Sequence, residues 1–420
     1  MPGRQDPYVA SSPGALTYRS LFAIREFRVL FANFCVVVLS VSASGLALAT
    51  ITYAATRSAV LSGLALFGGP LVALAVSQLL LASSDWVRPR TALVLQMGTA
   101  LACNAAQLIP AMPWPGRFGL LAIPYVVYAM FGGTRWALLR EIVPAGSYVL
   151  ARSAMNLAEG MQVVGYGAGG LALLWLPPRG LFLLAALADL LALVSVRVGL
   201  GDRPALGAGA AGPGTGERRN VVRRTAAVNW RLFRSPVTRP LYLALWVPNG
   251  LIVGCESLFV PYAHAARAGH GALAGWLFAA TATGAMAGEV LVGRLMPARW
   301  RDRSIGPLRL LLAVPYLVFF LSPPVLVAIP LGFAASAGYA ASLPLQDRLI
   351  RTTSDEIRGQ VLGLHVNGML TWQAIGALVA GTVASWLSPA TAMGTMAAAS
   401  TVITLLLVPG LRRSAPGRRD

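Results

Sequence analysis

Twelve long apolar stretches divide this chain, and arginine falls almost entirely in alternate gaps between them. The stretches cover residues 29–52, 58–82, 91–111, 117–139, 154–176, 180–199, 240–262, 271–296, 306–322, 324–344, 360–387 and 389–410. At 1.5 Å of rise per residue, segments of about 17–28 residues match a hydrocarbon core near 30 Å thick. There is no lysine, so the 34 basic residues are all arginine. Only Arg57, Arg117, Arg179 and Arg267 occupy the odd-numbered gaps. The rest flank the even-numbered gaps or lie in the tails. The excess of positive charge on cytoplasmic loops then places both termini in the cytoplasm, with the chain multi-pass in the plasma membrane.

Composition agrees. A chain that is 56% apolar and 12% charged belongs with polytopic membrane proteins, here an all-α one, rather than with soluble domains. A net charge of +19 raises nucleic acid as a partner. The charge is spread over short membrane-flanking loops, however, so the topological reading replaces it and the lipid bilayer is the partner. Residues 1–20 are polar, and the first apolar run is too long for a signal peptide. Cys35, Cys103 and Cys255 all fall inside expected spans, without metal-ligand spacing, and read as free buried thiols. No metal or cofactor is expected.

Displacing the sequence against itself by 211 residues aligns unusual residues without gaps. Arg28 meets Arg239, Arg88 and Arg90 meet Arg299 and Arg301, and Pro113 meets Pro324. Asn156, Gln162, Gly165 and Gly170 meet Asn367, Gln373, Gly376 and Gly381. Trp175, Leu176 and Pro178 meet Trp386, Leu387 and Pro389. A displacement of six spans keeps the same orientation, so the expected repeats are parallel. The domains are then an N-terminal six-helix bundle (1–199), a polar linker (200–238) and a C-terminal six-helix bundle (239–420). The linker begins with Gly/Ala/Pro-rich chain at 208–216. From Glu217 it mixes arginines with Val221, Val222, Trp230, Leu232 and Phe233. Two readings stand: a helix lying on an anionic membrane surface, or a solvated basic linker.

Two six-helix bundles joined by such a linker resemble the major facilitator superfamily. Thr56-Arg57-Ser58-Ala59 with Gly69-Pro70, LLREIVPAGSYVLARSAMN at Leu138–Asn156 and TTSDEIRGQVLGL at Thr352–Leu364 look closest to its bacterial drug–proton antiporter branch. The resemblance implies a secondary transporter that moves a small amphipathic organic compound by alternating access, with efflux against proton uptake. It also implies a cytoplasmic latch at Asp85, Arg88 and Arg90, in which the aspartate meets a helix N-terminus and the arginines reach acids of the other bundle. Trp86 and Arg88 replace an arginine and a glycine of that pattern. Gly165, Gly167, Gly169 and Gly170 match a glycine-rich exporter motif, with Tyr166 where its proline stands. Glycines there permit close helix approach.

No phosphate-cradling loop is present, so nothing supports ATP as the energy source. Ionisable residues inside spans are costly, and each is a candidate for function. Glu256, the deepest, has Gly45 as its repeat mate and is the first candidate for proton coupling, followed by Asp189 and Glu159. The alternatives are an arginine partner or a wet cavity for Glu256, an interhelical hydrogen bond for Asp189, and a cytoplasmic gate at Glu159. Glu289 and Arg294 are expected to pair locally. Arg135 either serves a proton-coupling acid, as the resemblance implies, or snorkels to the interface. Spans one, four, seven and ten line the cavity of the resembled fold, which makes Asn33, Tyr125, Tyr128, Arg135, Trp246 and Asn249 candidates for substrate contact. Helix packing is the alternative for each. His264, His270 and His365 form no catalytic constellation, so an enzyme is not expected. A transporter-shaped sensor without flux is the remaining alternative.

Overall fold

Hydrocarbon offers no hydrogen-bond partner, so apolar segments of this length pair their backbone groups internally as helices. This computed structural model describes residues 18–79, 87–144, 147–204, 227–266, 272–353 and 357–413. After a short turn of helix at Tyr18–Ala23, the chain forms α1 (Arg25–Thr56), α2 (Ala59–Phe67), α3 (Gly69–Leu79), α4 (Pro89–Ala106) and α5 (Trp114–Ile142). Then come α6 (Tyr148–Glu159), α7 (Met161–Ala172) and α8 (Pro178–Gly199). A helix at 227–234 precedes α9 (Thr238–Ser257), α10 (Phe259–Ala265), α11 (Ala272–Val290) and α12 (Ala298–Leu317). The last elements are α13 (Val325–Ala337), α14 (Ser342–Arg351), α15 (Arg358–Val383) and α16 (Pro389–Arg413).

Seven stretches among the described residues are long and apolar enough to cross a membrane: Arg25–Thr56, Pro178–Gly199, Thr238–Ala265, Leu273–Leu295, Trp300–Leu321, Leu326–Arg351 and Pro389–Arg413. The other expected positions are helical too, but broken or interrupted by polar residues. The expected second span divides at Gly68, because Pro70 has no N–H to give to the Leu66 carbonyl. The expected fifth divides at Gly160, and the seventh at Leu258, where Pro261 withdraws the bond to Ser257. The expected tenth span runs through a 3₁₀ segment, Gly338–Ala341, and continues to Arg351, past its expected end.

Small residues set the helix contacts. A Cβ at Gly376 of α15 would strike the Gly250 carbonyl of α9, and one at Gly288 of α11 would strike the Ala337 carbonyl of α13. The glycine-rich run of α7 divides between two faces. Gly165 and Gly169 meet Ser42 and Leu46 of α1, whereas Gly167 and Gly170 meet Ala282 and Gly275 of α11. Gly170 thus touches the other half of the chain. So does Gly381 of α15, against Val60 of α2, and Gly63 of α2, against Ala377 and Ser257. Tyr53 and His264 stack edge-on at 5.2 Å at the same end. The Gly170, Gly381, Gly63 and Tyr53 approaches lie at the ends of α1, α7, α9, α10 and α15 and the starts of α2 and α11, which is a single end of the molecule, and the Gly167–Ala282 contact lies further along α11.

Candidate functional site

In the first half, three helices converge on Asp189. It lies on α8 and is only 1% exposed. Asn104 of α4 donates to its carboxylate at 2.7 Å and accepts from Ser44 of α1 at 2.7 Å. A serine, an amide and a carboxylate from α1, α4 and α8 therefore form one chain of hydrogen bonds. This chain borders a small cleft of about 40 Å³, whose polar lining is Ser40, Ser44, Asn104, Gln107 and Tyr125. The expected interhelical hydrogen bond of Asp189 is present, and it sits one amide behind a cleft.

In the second half, α9 and α12 carry polar groups seven residues apart, which meet Tyr339, Ser342 and Arg348 of the α13–α14 segment. The outer layer joins Tyr339 to Glu256, the tyrosine hydroxyl donating to the carboxylate at 3.1 Å. Seven residues back along α9, Asn249 accepts from Arg309 of α12 at 2.7 Å and donates to Ser342 at 3.3 Å. A third layer pairs Arg348 with Asp302 at 3.2 Å, with Arg348 also donating to the Leu411 carbonyl. Among the described residues no arginine pairs with Glu256. Arg309, Tyr339 and Arg348 were not singled out by sequence. Arg309 stands near the start of the expected ninth span, where it was counted with the flanking topogenic charge.

Tyr166, in the place of the motif's proline, lies against the junction of the halves. Its hydroxyl donates to the Leu66 carbonyl at 3.0 Å, the group that Pro70 leaves without a helical partner. Its ring packs against Phe67 at 5.7 Å and against Phe278 of the other half at 5.6 Å. Tyr125 lies across Gly69, at the same break.

Several candidates occupy packed positions. Asn33 is buried and turned inward, donating to the Ala192 carbonyl at 2.8 Å and to Ser195 at 3.2 Å. Arg135 is buried rather than snorkelling, over the Phe34 ring at 4.3 Å and 3.4 Å from the Asn33 amide oxygen. Trp246 donates to the His365 carbonyl at 3.0 Å and stacks on Phe233, which fastens the 227–234 helix to α9 and α15. That helix has both a buried face and an exposed one, with Leu232 buried and Trp230 exposed. Tyr128 is exposed. Arg88 pairs with Asp202 at 2.9 Å and Arg90 with the Arg197 carbonyl, so the partners of both latch arginines lie at the end of α8 and the start of the linker rather than in the other bundle. Asp85 and the side chain of Glu159 lie outside the described residues, as do His270 and residues 205–226. The expected local pair of Glu289 and Arg294 is not among the ion pairs of the described residues: a spacing of five falls outside the i,i+3 and i,i+4 neighbours of a helix, and Arg294 lies in a π-helical turn, Leu291–Leu295, that follows α11. Arg117, from an odd-numbered gap, is buried and closes the end of α4 by donating to the carbonyls of Gln107, Ile109 and Met112.

Comparison with known proteins adds the fold. No protein family matches the chain in sequence, and no curated protein does. Solved structures do match in shape. A POT family transporter in complex with 5-aminolevulinic acid is similar with a TM-score of 0.69 at 13% identity, over 93% of this chain and 97% of that one. A bacterial homologue of the human lysosomal transporter Spinster, in an inward-facing and occupied conformation, gives 0.64 at 13%, over 93% and 97%. The nucleoside transporter NupG gives 0.62 at 9%, over 92% and 99%. The chain has the fold of the major facilitator transporters.

Proposed function

We propose that this chain is a secondary active transporter that carries a small amphipathic organic compound across the plasma membrane, exporting it against protons. The reading takes all twelve expected segments as spans, in two parallel six-helix bundles with cytoplasmic termini. Support for the repeat comes from matching turns. Leu174, Trp175 and Leu176 donate to Leu171, Ala172 and Ala172, and their counterparts Ser385, Trp386 and Leu387 repeat the pattern onto Thr382, Val383 and Val383. Gly165 and Gly376 likewise pack on the first helix of their own halves. With the halves in contact at the end opposite the arginine-rich loops, the conformation reads as open to the cytoplasm.

One observation carries proton coupling: an acid at the penultimate position of α9, held by a tyrosine hydroxyl and by no base among the described residues, one residue from the contact between the halves. Ser257, next to Glu256, sits against Gly63 of α2. A carboxylate without a counter-charge is costly in this setting, and a proton removes that cost. The charge of Glu256 is thus placed to affect how tightly α9 and α2 meet. Asp189, linked through Asn104 to the cleft, is the second proton candidate, and Glu159 the third. Tyr125 at the cleft, Asn249 and the more exposed Tyr128 are the candidate substrate contacts, with Asn33, Arg135 and Trp246 supporting them. Export rests on the glycine-rich α7.

The test is proton movement in reconstituted vesicles under a pH gradient, across a panel of amphipathic compounds, for the wild type and Glu256→Gln. Compound-dependent proton flux that disappears in Glu256→Gln is expected. Flux that survives the substitution moves the coupling acid to Asp189. A protein that moves neither protons nor any compound would instead be a sensor built on a transporter fold.

A further inference from the structure

Arg309 is the largest fully buried side chain among the described residues, at 1% exposure. Its one hydrogen bond is to a neutral amide, the Asn249 oxygen, and its Nη2 has no acceptor among the described residues. The nearby acids are engaged elsewhere. Asp302, seven residues back along α12, is bound to Arg348, and Glu256, about 10 Å along α9, is bound to Tyr339. Guanidinium remains charged at any physiological pH. A water could satisfy Nη2 but would leave the charge uncompensated, and an uncompensated buried charge is strongly destabilising.

The backbone around Arg309 is irregular on every side. Pro248 lies inside α9 beside Asn249. The 3₁₀ segment Gly338–Ala341 ends at Ser342, the third member of the layer. Gly338 brings that segment against the α12 backbone at Leu308 and Leu312, on either side of Arg309. Pro307 interrupts α12 two residues before it. Within a membrane, non-helical backbone is tolerated where it is buried in protein or lines a cavity, and discontinuous helices mark transporter binding sites.

We propose that Arg309, Asn249 and Ser342 form an oxyanion site, which receives a carboxylate, phosphate or sulfate group. Arg309 supplies the charge and the free Nη2 donor. Ser342 supplies a hydroxyl, and Asn249 holds the guanidinium from the far side. This deepens the transporter reading by naming a substrate class: the transported compound bears an oxyanion, unless a free inorganic oxyanion fills the site. Such recognition matches the forked donor geometry of arginine.

Equilibrium dialysis of the purified full chain with radiolabelled sulfate and with radiolabelled benzoate tests this. One equivalent of bound anion is expected in the wild type. Affinity should fall at least tenfold in Arg309→Met and less in Arg309→Lys, which keeps the charge but not the fork. Asn249→Asp gives a second route that does not depend on Arg309→Met folding. It places a carboxylate against the guanidinium, so the protein should stay folded and lose external anion. Benzoate binding supports an organic carboxylate, and sulfate binding alone supports a free inorganic oxyanion. A wild type that binds neither anion overturns the site, as does binding unchanged in Asn249→Asp. Glu256→Gln in the same dialysis keeps the two readings apart. Anion bound without proton flux removes only the coupling, and flux without anion binding removes only this site.

Discussion

Gly170→Ala tests how the two halves meet. A Cβ at Gly170 would lie 2.6 Å from the Gly275 Cα and 2.9 Å from its carbonyl oxygen, both backbone atoms that no rotamer change can move away. Overpacking of this kind costs about 1–3 kcal/mol. The contact joins α7 to α11 and exists only while this end is closed, so the cost falls on one conformation alone. At about 1.4 kcal/mol per factor of ten, the closed-to-open ratio at this end should fall about 5- to 150-fold. The assay is the distance between spin labels at Arg57 and Ala266, one on each half, with the three native cysteines replaced by serine. The short-distance population should shrink and a longer one appear. Gly119→Ala is the control, because nothing lies within 4 Å of its Cβ. An unchanged distance distribution in Gly170→Ala, with the protein folded, would refute the view that this glycine contact holds the end closed.

Further outcomes follow from single bonds. Tyr166→Phe strips the Leu66 carbonyl of its partner and should cost about 1–3 kcal/mol. In a double-mutant cycle with Pro70→Ala, which restores an N–H to that carbonyl, the loss should be smaller; thermal unfolding of all four proteins measures it. Asn104→Leu removes the donor to buried Asp189 and should lower thermal stability more than Ser44→Ala, with the deficit partly restored in Asn104→Leu/Asp189→Asn. Arg117→Met leaves three carbonyls at the end of α4 without their donor, and hydrogen exchange should rise at residues 104–107 while α8 is unaffected. Arg203 pairs with Glu26 at 2.6 Å and Glu141 at 3.4 Å near solvent, so Arg203→Ala should cost under about 1 kcal/mol, and less in high salt.

The candidate site was legible by residue type but not by partner. Glu256 and Asp189 stand out in any reading because acids are rare inside apolar runs. Tyr339, which holds Glu256, is 83 residues away in sequence, and Asn104 is 85 from Asp189. Nothing local distinguishes those partners from other polar residues of spans. Asn33 and Trp246 show the same gap in reverse. Both lie on helices expected to line the cavity, yet their side chains are turned into the packing, because the rotation of a helix about its axis decides which face meets the passage. With a low net amphipathicity in apolar helices, that rotation leaves little trace in the sequence.

What the sequence determined by itself is what depends on near neighbours. Helix formation follows from apolar length and the need to pair each backbone group within its own segment. The small residues for close approach were visible in α7, and the break at Gly68 traces to Pro70 although the second span was expected unbroken over 58–82. Tertiary structure alone decided that Gly165 and Gly169 face α1 while Gly167 and Gly170 face α11. It alone brought the Tyr166 hydroxyl to the carbonyl left free by Pro70, and set Arg309 against an amide instead of an acid. Hydrophobicity and backbone pairing are summed along a segment and can be read from it. A charge inside a bundle depends on which helices surround it and at what rotation, and those are properties of the assembled chain.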